Sequence, residues 1–281
     1  MGAYLQRRIW CRYLMDIVTH TLSGVAIGSV LINQSYKGIC SKTAILFFGA
    51  FGASVPDVDV VSMWSGFDST FGKWLSLNLT GKEIYSAKLW YSHHAFFHSV
   101  LSALVFTMLI GAIFLLVQKY VLSKNDLSVR EYIRDRGFIL LSFFLGYVIH
   151  LFEDMLTPSS SWGGVAFLWP SAKYVGGWGN IWWWNNYDVF LIVCGVIALN
   201  FILSLLRFKK QLKKNLAVFV LVAGIFTASF QVKSRGSNYN YSKTMRYQRL
   251  EEISLERQKE ILGEDLFYFM QEIDRLMPVS F

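Results

Sequence analysis

The sequence has few charged residues and few cysteines. Asp, Glu, Lys and Arg make up 16% of its 281 residues, whereas 54% are hydrophobic and 17% are aromatic. Its mean hydropathy of +0.38 is high for a soluble enzyme. The apolar residues occur in long runs and not in the 2- or 3.6-residue periods of half-buried strands and helices. The composition therefore excludes an ordinary soluble enzyme and predicts a polytopic membrane protein.

Other features are also missing. The three cysteines are odd in number and far apart, which excludes a disulfide framework: Cys11, Cys40 and Cys194. The basic N-terminal arm is not followed by an apolar stretch with a small-residue cleavage site, so no cleavable signal peptide is predicted, and Met15 is an alternative start. The net charge is +8, but the basic residues are concentrated in short loops and the tail. We therefore expect contacts with lipid headgroups and no nucleic-acid partner.

Hydropathy predicts an all-α, polytopic membrane helical bundle with about six transmembrane helices. The predicted spans are 17–33, 43–55, 95–118, 137–157, 188–206 and 215–232. Residues 1–14 form an interfacial extension, residues 15–232 the membrane domain, and residues 233–281 a polar tail. Apolar residues recur at helical spacing near the end of the tail, which predicts an amphipathic helix there: Leu266, Phe269, Met270, Ile273, Leu276 and Met277.

The predicted topology places the ionisable residues of the membrane domain on one side. We call the side that carries the N-terminus side S. All five histidines, all ten tryptophans and the acids near the span ends fall on side S. Two long aromatic loops, residues 63–92 and 158–187, also lie there. Because loops of this length usually have a function, we expect them to fold onto the bilayer around a site.

Charge indicates which side S is. The short loops opposite side S carry twelve basic residues, and the N-terminal arm and loops on side S carry seven. The positive-inside rule therefore places side S, and the site, outside the cytoplasm. Lys233 and Arg235 in the tail argue mildly for the reverse.

Four short clusters contain the chemistry. On a helix, residues four apart share a face, so the first and last clusters each pair an imidazole with a carboxylate. The clusters are Asp16-x3-His20, Asp57-x-Asp59, His93-His94-x3-His98 and His150-x3-Asp154. In the third, His94 and His98 share a face if the helix has begun, whereas His93 and His98 converge only if His93 precedes the first turn. Histidine and carboxylate without thiolate suit zinc, and also manganese, iron or magnesium, as one or two ions.

Each cluster also has a purely structural interpretation. Asp16 could be a helix N-cap, and Asp57 and Asp59 could be turn residues. One of His93 and His94 is expected to be solvated at the interface.

Two further acidic residues could likewise have either a structural role or a role in the metal site. Glu153 points away from the face shared by His150 and Asp154, so it is either solvated or supports a ligand. Asp188 is either an N-cap or a ligand. The structural interpretation needs a separate explanation for every polar residue on side S, whereas a metal site explains all of them together.

The motifs resemble the YdjM-type family, a family of LexA-regulated membrane proteins described as metal-dependent hydrolases. The resemblance covers about residues 15–190. It is carried by the blocks Asp16-x2-Thr19-His20, Pro56-Asp57-x-Asp59, His93-x4-His98-Ser99 and Gly146-x3-His150-x3-Asp154-x2-Thr157, followed by Trp162-Gly163 and Leu168-x-Pro170. The family commonly has Arg where this chain has His94. The last block is also similar to one in zinc-dependent phospholipase C-like enzymes, which favours phosphoester chemistry.

The resemblance implies a metal-dependent hydrolase of a bacterial-type inner membrane that acts on an ester or phosphoester of a lipid or lipid-linked substrate. The predicted metal ligands are His20, Asp57, His93, His98, His150 and Asp154. Asp16 or Asp59 is predicted as the catalytic base, or as a residue that orients a ligand. His94, Glu153, Thr157 and Asp188 are candidates for supporting or substrate-binding roles. The alternatives are a metal or proton transporter with the same ligands and a structural membrane protein that binds metal.

Overall fold

The structure, a computed structural model, describes residues 14–35, 38–121, 129–156, 163–177, 186–234 and 247–276. Nine α-helices make up most of these ranges, and the single antiparallel bridge found within them joins Val165 and Val175. The helices are α1 Leu14–Gln34, α2 Ile39–Ser54, α3 Gly81–Ser86, α4 Val100–Leu116, α5 Val129–Leu156, α6 Tyr187–Leu205, α7 Lys210–Ser234, α8 Tyr247–Leu262 and α9 Glu264–Leu276. Pro56–Met63 and Phe96–His98 are 3-10 helices, and Asp68–Gly72 and Val117–Val121 are π-helical turns.

The membrane helical bundle predicted from hydropathy is confirmed. Among the described residues, four segments are long and apolar enough to cross a bilayer: Val100–Tyr120, Arg136–Leu156, Tyr187–Leu205 and Lys210–Ser234. The fifth candidate span is α2 together with the 3-10 helix Pro56–Met63, and it is bent by 49°. Pro56 explains the break, because proline removes a backbone donor and disfavours helix before it.

Helix α1 corresponds to the first predicted span but is more polar than the others. It packs against four helices, α2, α5, α6 and α7, and so lies in the interior of the bundle. Its buried polar residues bond within the protein: Ser29 donates to the carbonyl of Ala26, and the Asn33 amide donates to the carbonyls of Ser29 and Asn200. A helix surrounded by protein can keep such residues, since their hydrogen bonds are made within the helix and, for Asn33, to a neighbouring helix.

The third predicted span begins later than expected. Helix α4 begins at Val100, not Ala95, because the Ser99 side chain caps it by accepting from the Ser102 backbone N–H at 3.1 Å. His93, His94 and His98 therefore precede the helix, and the predicted sharing of one helix face by His94 and His98 is wrong. His94 itself has a positive φ of 62°, a left-handed conformation that no helix contains.

A row of large side chains on α5 holds this turn in place. Phe143, Tyr147 and Leu151 are fully buried at helical spacing and pack with Val55 and Ala103. The Tyr147 hydroxyl donates to the carbonyl of Phe97 at 2.5 Å and also lies 2.9 Å from the Ser102 hydroxyl. The turn that carries His98 is thereby tied to the helix that carries His150.

The tail folds against the start of α6. Phe267 and Met270 of α9 are buried on Tyr187. The backbone N–H of Tyr187 donates to the Gln258 side chain at 2.9 Å, and its hydroxyl donates to Asp274 at 3.0 Å. An amphipathic helix is present, as predicted, but its buried face is centred on Phe267 and Met270. Leu266, Phe269 and Leu276 of the predicted stripe are exposed, and Met277 lies outside the described residues.

Helices α1, α2 and α5 touch backbone to backbone. A Cβ built on Gly24 or on Gly146 would lie within 3.0 Å of the Gly49 carbonyl oxygen, and one built on Gly49 would lie equally close to that of Gly24. Gly52 meets the backbone of Phe143 in the same way. Small residues at such crossings let helix axes approach closely in membranes.

We predict that Gly49→Ala destabilises the bundle by about 1–3 kcal/mol, because the added methyl group meets backbone that can only move with its helix. Thermal unfolding in lipid nanodiscs measures this. Gly195→Ala on α6 is the matched control, since a Cβ there meets nothing within 4 Å. Equal melting temperatures for the two variants would contradict the close crossing.

Candidate metal centre

Four separate parts of the chain contribute to one buried polar cluster. His20 comes from α1, Asp57 and Asp59 from the 3-10 helix after α2, His150 and Asp154 from the end of α5, and three histidines from the turn before α4. All five histidines are buried. Three overlapping sets of ligand atoms each lie within 4.8 Å of one another: His93, His94 and His98; His20, His150 and Asp154; and Asp57, His98 and His150.

Asp154 is at the centre of the cluster. Its Oδ2 atom lies 3.0 Å from Nε2 of His150, 3.1 Å from Nε2 of His98 and 3.9 Å from Nε2 of His94. Its Oδ1 atom lies 3.5 Å from Nε2 of His20. One carboxylate thus faces the same ring nitrogen of four histidines.

The opposite ring nitrogen of two histidines is held by a backbone carbonyl. Nδ1 of His150 lies 2.7 Å from the carbonyl oxygen of Ala53, and Nδ1 of His94 lies 3.0 Å from that of Gly164. A carbonyl oxygen can only accept, so each Nδ1 carries a hydrogen. In the neutral ring, Nε2 then presents a lone pair. Burial, and then the neighbouring His93, lower the pKa of His94 well below its ordinary value, so this ring is neutral.

Carboxylates lie beside Nδ1 of the other three histidines, and they hydrogen bond to Nδ1 of His20 and His93 but not to that of His98. Asp59 lies between two rings, with one oxygen 2.7 Å from Nδ1 of His93 and the other 3.3 Å from Nδ1 of His98. Glu153 accepts from Nδ1 of His20 at 2.5 Å and from the Ser23 hydroxyl at 2.5 Å. A carboxylate or carbonyl behind a histidine is the usual arrangement around a bound metal, because it fixes the tautomer and the direction of the ring.

The cluster fits a divalent cation. Nε2 of His150 lies 3.0 Å from the Asp154 carboxylate, and a ring nitrogen and a carboxylate oxygen at this distance repel unless a proton or a cation lies between them. The donors are imidazole nitrogens and carboxylate oxygens without a thiolate, which suits zinc, manganese or iron. Asp57 is the most open of these groups, with 17% of its side chain exposed, and it lies 3.6 Å from Nε2 of His150.

Protonation of His98 competes with metal. Burial alone would lower its pKa, but the carboxylates of Asp59 and Asp154 outweigh burial and raise the pKa to about 10. Without metal, the His98 ring is therefore an imidazolium whose Nε2 lies 3.1 Å from Oδ2 of Asp154. A metal that binds there must displace this proton.

The six predicted ligands all lie within the cluster: His20, Asp57, His93, His98, His150 and Asp154. The expectation that His93 or His94 is solvated is wrong, because both are buried. His94 faces Asp154, and His93 stacks on the Tyr85 ring with centroids 4.6 Å apart. Which of the two binds metal stays a prediction.

Of the residues predicted to act as a base or to support the ligands, some lie in the cluster and others do not. Asp59 is buried between two imidazoles, as the orienting alternative requires, and Glu153 is buried against His20 and not solvated. Asp188 is in the first turn of α6 behind the N-cap Asn186, and none of the three ligand sets found in the described part of the chain includes it. The Asp16 side chain and Thr157 lie outside the described residues.

Sequence reasoning named Asp59 and Glu153 as possible supports of the ligands but missed three other groups that orient the cluster. Two of them, the carbonyls of Ala53 and Gly164, leave no trace in residue type, since every residue has a carbonyl. Ser23 gives a weak signal, because it lies on α1 one turn from His20 and hydrogen bonds to Glu153.

We predict that the purified protein binds a divalent metal and that Asp154→Asn removes most of it, because the charge facing four Nε2 atoms is lost. Inductively coupled plasma mass spectrometry measures the content. Asp68→Asn is the control, since Asp68 is exposed and bonds only a backbone N–H of Gly81 among the contacts described for it. Full metal content in Asp154→Asn would be evidence against the centre.

A second prediction concerns Glu153. Glu153→Gln keeps the side-chain shape but removes the charge behind His20, so metal affinity should fall roughly 10–100-fold. Competition with a fluorescent chelator measures this affinity. The loss should be smaller than that of Asp154→Asn, and an unchanged affinity would mean that His20 is not a ligand.

Comparison with known proteins agrees with this geometry. No curated protein and no solved structure matches the chain. The model of the YdjM inner membrane protein family matches residues 15–237, which include every residue of the cluster and helices α1 to α7. The match covers most of the chain, and it agrees with the resemblance of the four motif blocks. The chain therefore belongs to the YdjM inner membrane protein family and is an integral inner membrane protein.

Proposed function

We propose that the protein is a metal-dependent hydrolase that cleaves an ester or phosphoester of a lipid or lipid-linked substrate. One observation carries the proposal: four Nε2 atoms converge on Asp154, while three of these rings, those of His20, His94 and His150, are oriented by a hydrogen bond through Nδ1 to a carboxylate or carbonyl. Structural histidines have no need of such paired orientation. Ligands of a reactive metal do, because the direction of each lone pair must be fixed.

The two oxygens of Asp154 face different histidines, which is compatible with one metal position or with two. Oδ1 faces His20, whereas Oδ2 faces His94, His98 and His150. A carboxylate that presents its oxygens to different ligands can bridge two ions. We propose one or two ions, with zinc favoured for a site of nitrogen and oxygen donors in a buried setting.

A divalent cation held here would supply a Lewis acid and lower the pKa of a bound water. The protein residues would do the rest. His150 and His94 keep their Nε2 lone pairs toward the centre, and Asp57, on the open side, is placed to contact the arriving group. Asp59 has both oxygens directed at imidazoles, so it supports ligands better than it could act as a base, and Asp16 remains the predicted base.

We also propose that the centre lies on the extracytoplasmic face. The support is the excess of basic residues in the loops opposite side S, combined with the positive-inside rule. A site at the outer headgroup level would have direct access to lipid substrates.

The hydrolase proposal predicts metal-dependent cleavage of lipid phosphodiesters or esters by the purified protein in nanodiscs. Chelation should abolish the activity, and zinc or manganese should restore it. His98→Ala should lower kcat/KM more than the roughly 10–100-fold expected for loss of an orienting residue. Asp68→Asn serves as the control and should be fully active.

Two results would count against the proposal. One is hydrolysis that survives chelation and His98→Ala. The other is metal flux across proteoliposomes without hydrolysis of any phosphodiester or ester tested, which would favour the transporter alternative.

A further inference from the structure

The 3-10 helix Pro56–Met63 has its polar side chains inside and its apolar side chains outside. Three residues make one turn of a 3-10 helix, so positions three apart share a face. Pro56, Asp59 and Ser62 form the buried face. Val58 and Val61 lie on the outer face and are 54% and 46% exposed. A helix that borders water shows the opposite arrangement.

The apolar surface continues along the chain. Trp64 follows Val61 at the same spacing and is exposed, and its ring lies 6.3 Å from that of Phe71. Beyond the π-helical turn Asp68–Gly72, Trp74 is 78% exposed and Leu75 is also exposed. From Val58 to Leu75 these exposed apolar side chains alternate with exposed polar ones, which include Asp68 and Lys73. We call this stretch the apolar arm.

The arm is continuous with a membrane-facing surface. Phe47 and Phe51 on α2 are exposed and lie before the 49° bend of the candidate span, and Val58 lies after it. The bend turns the arm away from the axis of α2, so it need not follow that helix across the bilayer.

The backbone of the arm is suited to a medium of low polarity. Phe67 N–H donates to Trp64 O at 2.9 Å, Gly72 N–H to Phe67 O at 2.8 Å, and Leu75 N–H to Phe71 O at 2.8 Å. Irregular backbone is costly in lipid when its polar groups lack partners. Here the helical turns supply partners within the arm. Trp64 and Trp74 are of the residue type that favours the interface.

We propose that the apolar side chains of the arm, Val58 to Leu75, lie in the lipid leaflet on the side of the metal centre, just below the headgroups that Asp68 and Lys73 reach, with bilayer lipid as the occupant. Asp57, the most exposed ligand of the centre, immediately precedes the arm and would lie at the boundary of that leaflet. If the proposed hydrolase function holds, an amphiphilic substrate would reach the centre sideways from the leaflet and not from bulk water.

Depth measurements test the arm. In the full chain with Cys11, Cys40 and Cys194 replaced by Ser, a single nitroxide label is placed at Val61→Cys or Trp74→Cys in phospholipid nanodiscs. Phe226→Cys, exposed on the spanning helix α7, is the lipid reference, and Ser86→Cys, exposed on α3, is the water reference. Collision with oxygen and with a water-soluble nickel chelate gives the depth of each label.

The arm labels should resemble the Phe226 label, with oxygen collisions favoured and nickel collisions several-fold below those of the Ser86 label. Nickel collisions at both arm positions equal to those at Ser86 would overturn the proposal. Val61 and Trp74 are exposed, so neither substitution removes a core side chain. Because the measurement needs neither metal nor substrate, its outcome is independent of the hydrolysis assay, and either proposal can fail while the other stands.

Discussion

The close crossing of α1, α2 and α5 is the constraint on which the metal centre depends. Gly24 lies one helical turn after His20, Gly146 lies one turn before His150, and Gly49 lies one turn before Ala53. Because the three backbones touch at these glycines, the next turn of each helix reaches the same small volume. His150 can then donate to the Ala53 carbonyl and still face His20, with ring centroids 4.3 Å apart. Larger residues at the crossing would move the helices apart and so separate the candidate ligands, although none of the ligands themselves would be changed.

Burying a cluster of ionisable groups in a protein interior is unfavourable for the free energy of folding. Buried ionisable groups lose hydration, and their mutual attraction seldom returns more than apolar side chains of the same volume would give. The five histidines, with Asp59, Glu153 and Asp154, are nonetheless buried in one place. In the metal-free state, His98 balances part of the negative charge as an imidazolium. A divalent cation would balance it more fully, and it would separate the facing acceptors of His150 and Asp154. Retention of such a cluster is better explained by binding than by stability.

Regular helices made much of the site predictable. His150 and Asp154 are four apart on a helix that hydropathy identifies, so their shared face follows from helical periodicity. The turn before α4 was harder, because Ser99 caps the helix and delays its start, and the left-handed backbone of His94 depends on tertiary contacts. Glu153 was expected to point away from the pair. It does, but onto α1, and sequence alone does not say which helix occupies that side. The inward face of α9 was missed for the same reason: Phe267 is buried on Tyr187, a residue far away in sequence.

The 3-10 helix after α2 places polar side chains toward the centre and apolar side chains on its outer face within a single short segment. With three residues per turn, its faces repeat every third residue without drift, so one short segment can hold Asp59 inside and Val58 and Val61 outside. The intermediate face carries Asp57, which reaches the centre and keeps some exposure. A candidate ligand, a carboxylate that orients His93 and the apolar surface thus belong to one short element. If the proposed hydrolase function holds, this coupling also accounts for the placement of tryptophan on one side of the predicted topology. An aromatic belt that only anchored the bundle would be needed at both interfaces, whereas a surface that brings lipid to the centre would be needed only at the interface where the centre lies.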